Sequence, residues 1–217
     1  VAAPYLLPKL VSAEKSERFY GTLLLAEVSG DDALLPLGQR MLDYETQIAA
    51  LASSLVHGLL RGQPVPNPLS QNVIKVMSDK KSSEVLVHRA VSATGTIRDG
   101  NAVGPLIDML KTARGAKKQA LLHALRQITG QDLGSSARKW SGWWNKAKSR
   151  HRAEWLLDAL DHRQEATRAR AAKELDWLSG KSFGFVAGAS KKQRERDRTT
   201  IMKCWDEEVR NNFVSRD

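Results

Sequence analysis

The sequence predicts an all-α protein, a right-handed α-solenoid of about five stacked helix pairs with an extra helix at its C-terminal end. Two observations predict this fold class. Glycines recur at nearly constant spacing along the chain, and an apolar stripe with the period of an α-helix precedes them. The 217 residues are 41 % apolar, which is enough to fill a sizeable core. We expect the whole chain, 1–217, to form one repeat domain.

The repeat is marked by glycines that follow apolar helices. Their spacings are 32, 33, 35 and 50 residues, a cadence typical of stacked two-helix units. Because glycine adopts the left-handed conformation beyond a helix end without strain, each glycine is predicted to occupy the same corner. The corners are Gly30, Gly62, Gly95, Gly130 and Gly180.

Each predicted unit contains a first and a second helix. Proline early in first helices, as at Pro36 and Pro105, costs little because N–H groups in the first turn lack partners. The second helices before Gly95, Gly130 and Gly180 carry apolar residues two, five, eight and nine positions before the glycine, and the stripe of repeat two is shifted by one residue. The predicted first helices are 4–11, 32–42, 69–78, 101–112 and 152–161. The second helices are 14–28, 45–61, 83–94, 116–129 and 164–178, which gives repeats near 4–30, 32–62, 69–95, 101–130 and 152–180.

Two further helices follow a duplicated cassette. Residues 128–134, Ile-Thr-Gly-Gln-Asp-Leu-Gly, correspond to residues 178–184, Leu-Ser-Gly-Lys-Ser-Phe-Gly. Behind each lies a helix with bulky residues at i, i+3 and i+4, which make one apolar face. These faces are Trp140, Trp143 and Trp144 in an inserted helix 135–148, and Ile201, Cys204 and Trp205 in a capping helix 193–213. We expect core or capping residues here, the alternative being an aromatic platform for a ligand.

Residues 97–111 and 156–175 resemble HEAT repeats, the second through its small residues and arginines in the inner helix. The resemblance covers most of the chain and is strongest over 84–178. The Thr-Gly corner with a terminal Trp helix resembles bacterial HEAT-repeat proteins. Membership of that family implies an armadillo-like α-solenoid and usually a scaffolding or partner-binding role, but no fixed chemistry.

The net charge of +10 is unevenly distributed. Residues 1–66 carry −2, residues 67–110 carry +1, and residues 111–217 carry +11 together with all six Trp. An acidic partner is therefore expected to meet the C-terminal half. Two basic runs supply candidate partner-binding or phosphate-binding residues. The first is predicted to lie in a mobile loop and a helix start and consists of Lys191, Lys192, Arg194, Arg196 and Arg198. The second flanks three Trp and consists of Arg138, Lys139, Arg150 and Arg152. The alternative for each run is a solvated surface.

Catalytic and metal-binding patterns are sparse. The five histidines lack metal-ligand spacing, and neither a phosphate-binding Gly-x-x-x-x-Gly-Lys nor a Gly-x-Ser-x-Gly motif occurs. His88 and His123 both lie seven residues before their glycines, which indicates either a shared structural position or a ladder along a groove. Cys204 is predicted to be a core residue, and a single cysteine excludes an intramolecular disulfide. We predict no catalytic residue, no metal and no cofactor.

The sequence leaves two hypotheses for function. The first is a non-enzymatic interaction module whose second helices line a concave groove for a protein segment. The second is nucleic-acid binding by the basic, Trp-rich half, extending to base excision, because alkylpurine DNA glycosylases are similar in fold class and charge. Excision would need Asp158 or Asp176 beside Trp155 or Trp177, and a bilin-type lyase is a more distant alternative.

No run of residues is apolar enough for a membrane helix, so we expect no membrane association. The chain opens Val-Ala-Ala-Pro, which suggests a processed or truncated piece, and a cytoplasmic location is expected. The identity of the partner and the oligomeric state stay open.

Overall fold

The computed structural model describes the backbone of residues 3–209, and every regular element in that range is helical. The α-helices are α1 Ala3–Leu10, α2 Lys15–Ser29, α3 Leu34–Arg40, α4 Thr46–Leu60, α5 Asn67–Ser78, α6 Glu84–Thr96, α7 Val103–Leu110, α8 Gly115–Thr129, α9 Ala137–Ala147, α10 Arg152–Ala159, α11 Glu165–Ser179 and α12 Lys191–Cys204. Short 3-10 turns, Gly30–Ala33 and Gly100–Ala102, lead into α3 and α7, and Trp205–Val209 forms a π-helix. No helix in this range is long and apolar enough to cross a membrane.

The chain divides into two compact units, Val1–Ile128 and Thr129–Asp217. In the first unit α1 packs on α2, α3 on α4 and α5 on α6. The second helices α2, α4 and α6 contact each other in order, and α3 contacts both α1 and α5. This stacking of antiparallel pairs is the predicted all-α solenoid arrangement, and the fold class is confirmed. The prediction of a single domain over 1–217 stays a prediction.

In the second unit α10 packs on α11 and on α12. The side chains that join them form one apolar cluster, in which Leu156, Leu175, Ile201 and Trp205 are buried. Cys204 was predicted to be a core residue, and it packs against this cluster as a partly buried side chain. The helix α12 therefore covers α10, as expected of a capping helix. The predicted range 193–213 extends past Val209, and residues 210–213 lie outside the described part of the chain.

A buried ion pair links the first two helix pairs. The Nε atom of Arg18 on α2 lies 3.2 Å from Oδ2 of Asp43 in the turn before α4, and these side chains are 1 % and 0 % exposed. The guanidinium also donates through Nη1 to the carbonyl oxygens of Ser12 and Ala13, at 2.8 and 3.0 Å. Arg40 supplies a second cation, 3.2 Å from the same carboxylate oxygen. The negative charge of Asp43 is therefore compensated by two arginines. A carboxylate excluded from water needs such pairing, because an unpaired buried charge is strongly destabilising.

The arginine in α11 repeats part of this arrangement. Arg168 donates through Nη1 to the carbonyl oxygens of His162 and Arg163, six and five residues earlier, as Arg18 does to its own turn. Its Nε and Nη2 atoms donate to the carbonyl oxygen of Ala187 at 2.8 and 2.6 Å. Here a backbone oxygen takes the place that a carboxylate has in the first unit. Arg168 thereby anchors the segment that leads into α12.

One predicted corner is wrong. Gly95 lies inside α6, which continues to Thr96, and the left-handed residue is Arg98, with a φ of 61°. Gly95 serves close packing instead, because a Cβ there would lie 2.5 Å from Oε1 of Gln127 and 3.1 Å from the Cα of Ala124 on α8. Because Gly95 has no Cβ, the helices α6 and α8 can approach each other closely at this point.

The duplicated cassette is present in the backbone. Gly130 and Gly180 have φ values of 72° and 67°, and Gly134 and Gly184 have values of 71° and 65°. In both copies a hydroxyl oxygen accepts the N–H of the residue two positions later. Thr129 accepts the N–H of Gln131, and Ser179 accepts the N–H of Lys181. A left-handed glycine and a hydroxyl turn therefore define this corner twice.

We expect Gly130→Ala to destabilise the protein. The residue has positive φ, where an alanine is strained, and its Cβ would lie 2.4 Å from Cδ2 of the buried Leu156. Loss of about 1–3 kcal/mol in the free energy of unfolding is expected from urea denaturation. The matched control is Gly180→Ala, which has the same backbone strain but no atom within 4 Å of the new Cβ, and should cost less. Equal costs for the two variants would contradict the close approach at Leu156.

Candidate protein-binding groove

A groove with a cavity volume of about 380 Å³ lies between α4, α6 and α8, all of them second helices. Its lining is mainly apolar, with polar side chains at the edges. The lining residues are Thr46 from α4, Glu84, Val85, Val87, His88, Arg89 and Val91 from α6, and Ala116, Lys117 and Ala120 from α8. The groove has the location that the sequence predicted for partner binding.

The local sequence of α6 places its side chains in the groove. Ser83 caps the helix by accepting the N–H of Leu86 at 3.3 Å, so the helix begins at Glu84. Val85 and His88 lie three residues apart on one exposed face, while Ala90 on the opposite side is buried. The Val85 side chain is 60 % exposed, which leaves an apolar group available to a partner.

The α8 side of the groove is positively charged. Residues 111–128 contain five Lys or Arg and no Asp or Glu. Lys117 is exposed in the first turn of α8, where the helix dipole adds positive potential. Across the groove, Nη2 of Arg89 donates to the carbonyl oxygen of Tyr44, which holds its guanidinium near the start of α4. Glu84 is the one acidic residue in the lining.

The two candidate groove histidines have different positions. His88 lines the groove, and His123 is exposed on α8 outside the lining. Both side chains are exposed, and the assignment of His88 and His123 to a partner-binding groove stays a prediction. Among residues 4–207, whose side chains the structure describes, no group of three or more His, Cys, Asp or Glu is arranged to hold a metal ion.

Four of the six tryptophans pack on one another, whereas Trp177 is 37 % exposed and Trp205 lies against His151. Trp140 is fully buried and donates through Nε1 to the carbonyl oxygen of Gly134 at 3.0 Å. Trp155 is also buried, and the rings of Trp143 and Trp144 lie against it with centroid distances of 5.7 and 5.5 Å. As predicted, these are core and capping residues. The edge-on contacts stabilise the cluster and occupy ring surface that a stacked base would need.

The basic run that flanks these tryptophans is partly neutralised. Arg150 lies 3.0 Å from Glu154 and 2.7 Å from Asp158, and the hydrogen bond to Asp158 raises the pKa of Arg150 above its ordinary value. Arg152 is half-buried and lies 2.6 Å from Glu174. Both arginines therefore hold α10 in place. The other two residues of this run, Arg138 and Lys139, are exposed in the first turn of α9.

The second basic run lies in a helix. Ser190 accepts the N–H of Gln193, and α12 begins at Lys191, so the predicted mobile loop does not extend into this run. Arg198 donates through Nε to the carbonyl oxygen of Leu157 at 3.1 Å, and its Nη2 lies 3.8 Å from Asp158. Charge reversal at Arg198 would therefore disturb the packing of α12 on α10. Arg198 contacts α10, and Arg194 donates to the carbonyl oxygen of Ala189. Lys191, Lys192 and Arg196 are exposed, and Nζ of Lys191 lies 3.7 Å from Oε1 of Glu195 on the same helix.

The two carboxylates considered for base excision have structural partners. Asp158 lies beside Arg150 and Arg198, as described above. Asp176 accepts the N–H of Phe183 through Oδ1 at 3.0 Å and closes the second cassette corner. Asp158 lines a cavity of about 170 Å³ that also includes Trp205, but its two carboxylate oxygens lie beside Arg150 and Arg198.

No protein-family model matches the sequence, and no curated protein matches it. Among solved structures the chain is similar to a designed armadillo repeat protein in complex with the peptide (KR)4, with a TM-score of 0.41 and 14 % sequence identity. The match covers 94 % of this chain and 100 % of the designed protein.

Proposed function

We propose that this protein acts without turnover, as a module that binds an acidic segment of a protein partner in the groove of α4, α6 and α8. The observation that carries the proposal is an apolar groove with a cationic side. Its cavity of about 380 Å³ can take a few side chains, which suits a peptide segment with apolar anchors. Partner binding by a helical repeat relies on an extended surface and needs no catalytic group.

Charge supports an acidic occupant. Lys117 and Arg89 lie on opposite walls, and the helix α8 with its preceding turn carries five cations and no acid. A segment with carboxylates beside its apolar side chains would place negative charge against both walls. Complementary charge of this kind increases the association rate and disfavours basic segments.

Binding of a labelled peptide that alternates Leu and Glu tests the proposal by fluorescence anisotropy. Lys117→Glu should weaken binding about tenfold and reduce its salt dependence, because a cation at the groove becomes an anion. The matched control is Lys146→Glu, an equal change of charge at an exposed residue of α9, which should alter affinity less than about twofold. Equal weakening by both variants would show that only net charge matters and that the groove is not the site.

Nucleic-acid binding by the second unit, extending to a DNA glycosylase activity, is the second candidate. It is supported by exposed cations at the starts of α9 and α12, among them Arg138, Lys139 and Lys192. It ranks below the groove because four of the six tryptophans pack on one another and Asp158 is engaged by arginines. Duplex DNA that binds wild-type protein and Lys117→Glu equally, but loses affinity on Arg138→Glu, would reverse this order.

The class of repeat and the cellular location of the protein are also proposals. We assign the helix pairs to the HEAT type, as in bacterial proteins with a Thr-Gly corner, on the strength of the duplicated cassette. A cytoplasmic location is compatible with a fold that has one cysteine, Cys204, and rests on packing alone. Light scattering would give the oligomeric state.

A further inference from the structure

The helix α2 carries an exposed apolar stripe. Tyr20, Leu24 and Val28 follow one another at intervals of four residues, so they lie along one side of the helix. Their side chains are 60 %, 47 % and 51 % exposed. The opposite side of α2 is buried and includes Thr22 and Leu25. We call Tyr20, Leu24 and Val28 the α2 stripe.

The first helix pair carries further exposed apolar side chains. Half of the large apolar side chains that are exposed in the described residues lie on α1, α2 and the turn between them, namely Tyr5, Leu7, Val11 and the three residues of the α2 stripe. Single exposed apolar residues are ordinary, but a concentration of this kind marks a site of interaction. The helix α2 already packs on α1, α3 and α4, and the stripe is exposed outside those contacts.

The charge beside the stripe is negative. Residues 19–39 contain three acidic residues, Glu27, Asp31 and Asp32, and no Lys or Arg. All three carboxylates are exposed, and no ion pair within the described residues engages them. The cations at the start of α2 are engaged, since Lys15 lies 3.1 Å from Glu45 and Arg18 is buried against Asp43.

We propose that the α2 stripe is a second docking surface, and that its occupant is a basic amphipathic helix of a partner protein. A helix laid along α2 would bury its apolar side chains against Tyr20, Leu24 and Val28, because residues at intervals of three and four form the ridges by which helices pack. Lys or Arg at its edges would meet Glu27, Asp31 and Asp32. The uncompensated carboxylates at one end of the stripe select a basic occupant over an acidic one.

This surface differs from the groove in the charge that it selects. The groove has a cationic wall on α8, whereas the α2 stripe ends in carboxylates, although both lie in the unit Val1–Ile128. One unit thereby presents two surfaces that favour partners of opposite charge. The module is then an adaptor that can hold an acidic segment and a basic helix at the same time.

The probe is a fluorescein-labelled amphipathic helix of about 18 residues built from Leu and Lys, a length at which a peptide helix is marginally stable alone. It should bind the wild-type protein even though the protein carries a net charge of +10, which repels a basic peptide in general. Leu24→Gln should weaken binding at least about tenfold, and Asp31→Asn with Asp32→Asn should weaken it and reduce its dependence on salt.

Matched controls come from the second unit. Val186 is 59 % exposed, so Val186→Gln repeats the loss of an exposed apolar side chain, and Glu195→Gln repeats the loss of an exposed carboxylate. Both should leave affinity for the Leu/Lys helix within about twofold of the wild type. The stripe variants should also leave binding of the Leu/Glu peptide in the groove unchanged.

Three results would overturn the proposal. The first is no binding of the Leu/Lys helix at about 100 µM, or equal weakening by Leu24→Gln and Val186→Gln. The second is equal affinity for a helix of the same pattern built from Leu and Glu, which removes the selection by charge. The third is a protein of twice the monomer mass by light scattering that Leu24→Gln converts to monomer, because a second copy is then the occupant.

Discussion

Asp43→Ala is expected to lower the free energy of unfolding by about 3–5 kcal/mol. Asp43 is 0 % exposed in its side chain and receives both Arg18 and Arg40, so its removal leaves Arg18 as a buried cation without its carboxylate. The cost of an unpaired buried charge exceeds the net gain of forming the pair. Urea denaturation followed by circular dichroism measures the change, with an unchanged slope expected if the folded state stays compact.

Asp79 provides a matched control for this variant. Its Oδ1 atom accepts the N–H of Lys81 at 2.9 Å, just as Oδ1 of Asp43 accepts the N–H of Glu45 at 2.9 Å, but Asp79 is exposed. Asp79→Ala therefore removes the turn hydrogen bond alone and should cost about 0.5–1.5 kcal/mol. The double variant Arg18→Met with Asp43→Ala should be more stable than Asp43→Ala, because the fully buried cation is removed as well, while Arg40 is 18 % exposed and keeps its hydrogen bond to the carbonyl oxygen of Leu10. A cost for Asp43→Ala no larger than that for Asp79→Ala would show that the ion pair is dispensable.

Leu125→Ala is expected to cost about 2–5 kcal/mol, because a fully buried leucine is replaced by a methyl group and a cavity remains. Leu125 lies on α8 and is 0 % exposed, with Leu121, Leu122 and Ile128 buried on the same side of the helix. This face also holds α8 in the position that supplies Lys117 to the groove. We therefore expect the affinity for the Leu/Glu peptide to fall as well at temperatures where the variant begins to unfold.

His123→Ala is the control, two residues away on the exposed side of the same helix. It should change stability by less than about 0.5 kcal/mol, as surface substitutions usually do. A loss below about 0.5 kcal/mol for Leu125→Ala would falsify the helix phase assigned to α8. A large loss for His123→Ala would contradict it in the same way.

The sequence alone was sufficient to locate the helices and the duplicated cassette. Apolar periodicity, the hydroxyl caps and the left-handed glycines act within a few residues of chain, so they can be recognised without knowledge of the fold. The paired corners at Gly130 and Gly180 were predicted for this reason. The cationic side of the groove is also visible in the sequence, because residues 111–128 contain five cations and no acid. The run at 191–198 has the same number of cations in fewer residues and is therefore the stronger basic signal.

The turns before the second helices share a hydrogen bond that is formed by a different residue type in each copy. Three residues before a second helix, a side chain accepts the N–H group two positions later in three of the pairs. The accepting residues are Ser12, Asp43 and His162. Hydroxyl, carboxylate and imidazole groups perform the same function here, so the position is not recognisable as a repeat by comparing letters.

Only the tertiary structure decided which residues face a neighbour and which face solvent. Gly95 was assigned to a corner because it follows an apolar stripe, and its role depends instead on the approach of Ala124 from α8. Arg198 belongs to a basic run, yet it is bound to Leu157 and Asp158 on another helix. These positions depend on atoms many residues away in the chain. Local sequence specifies the helix and its phase, whereas burial, ion pairing and the charge of a groove depend on how the helices pack.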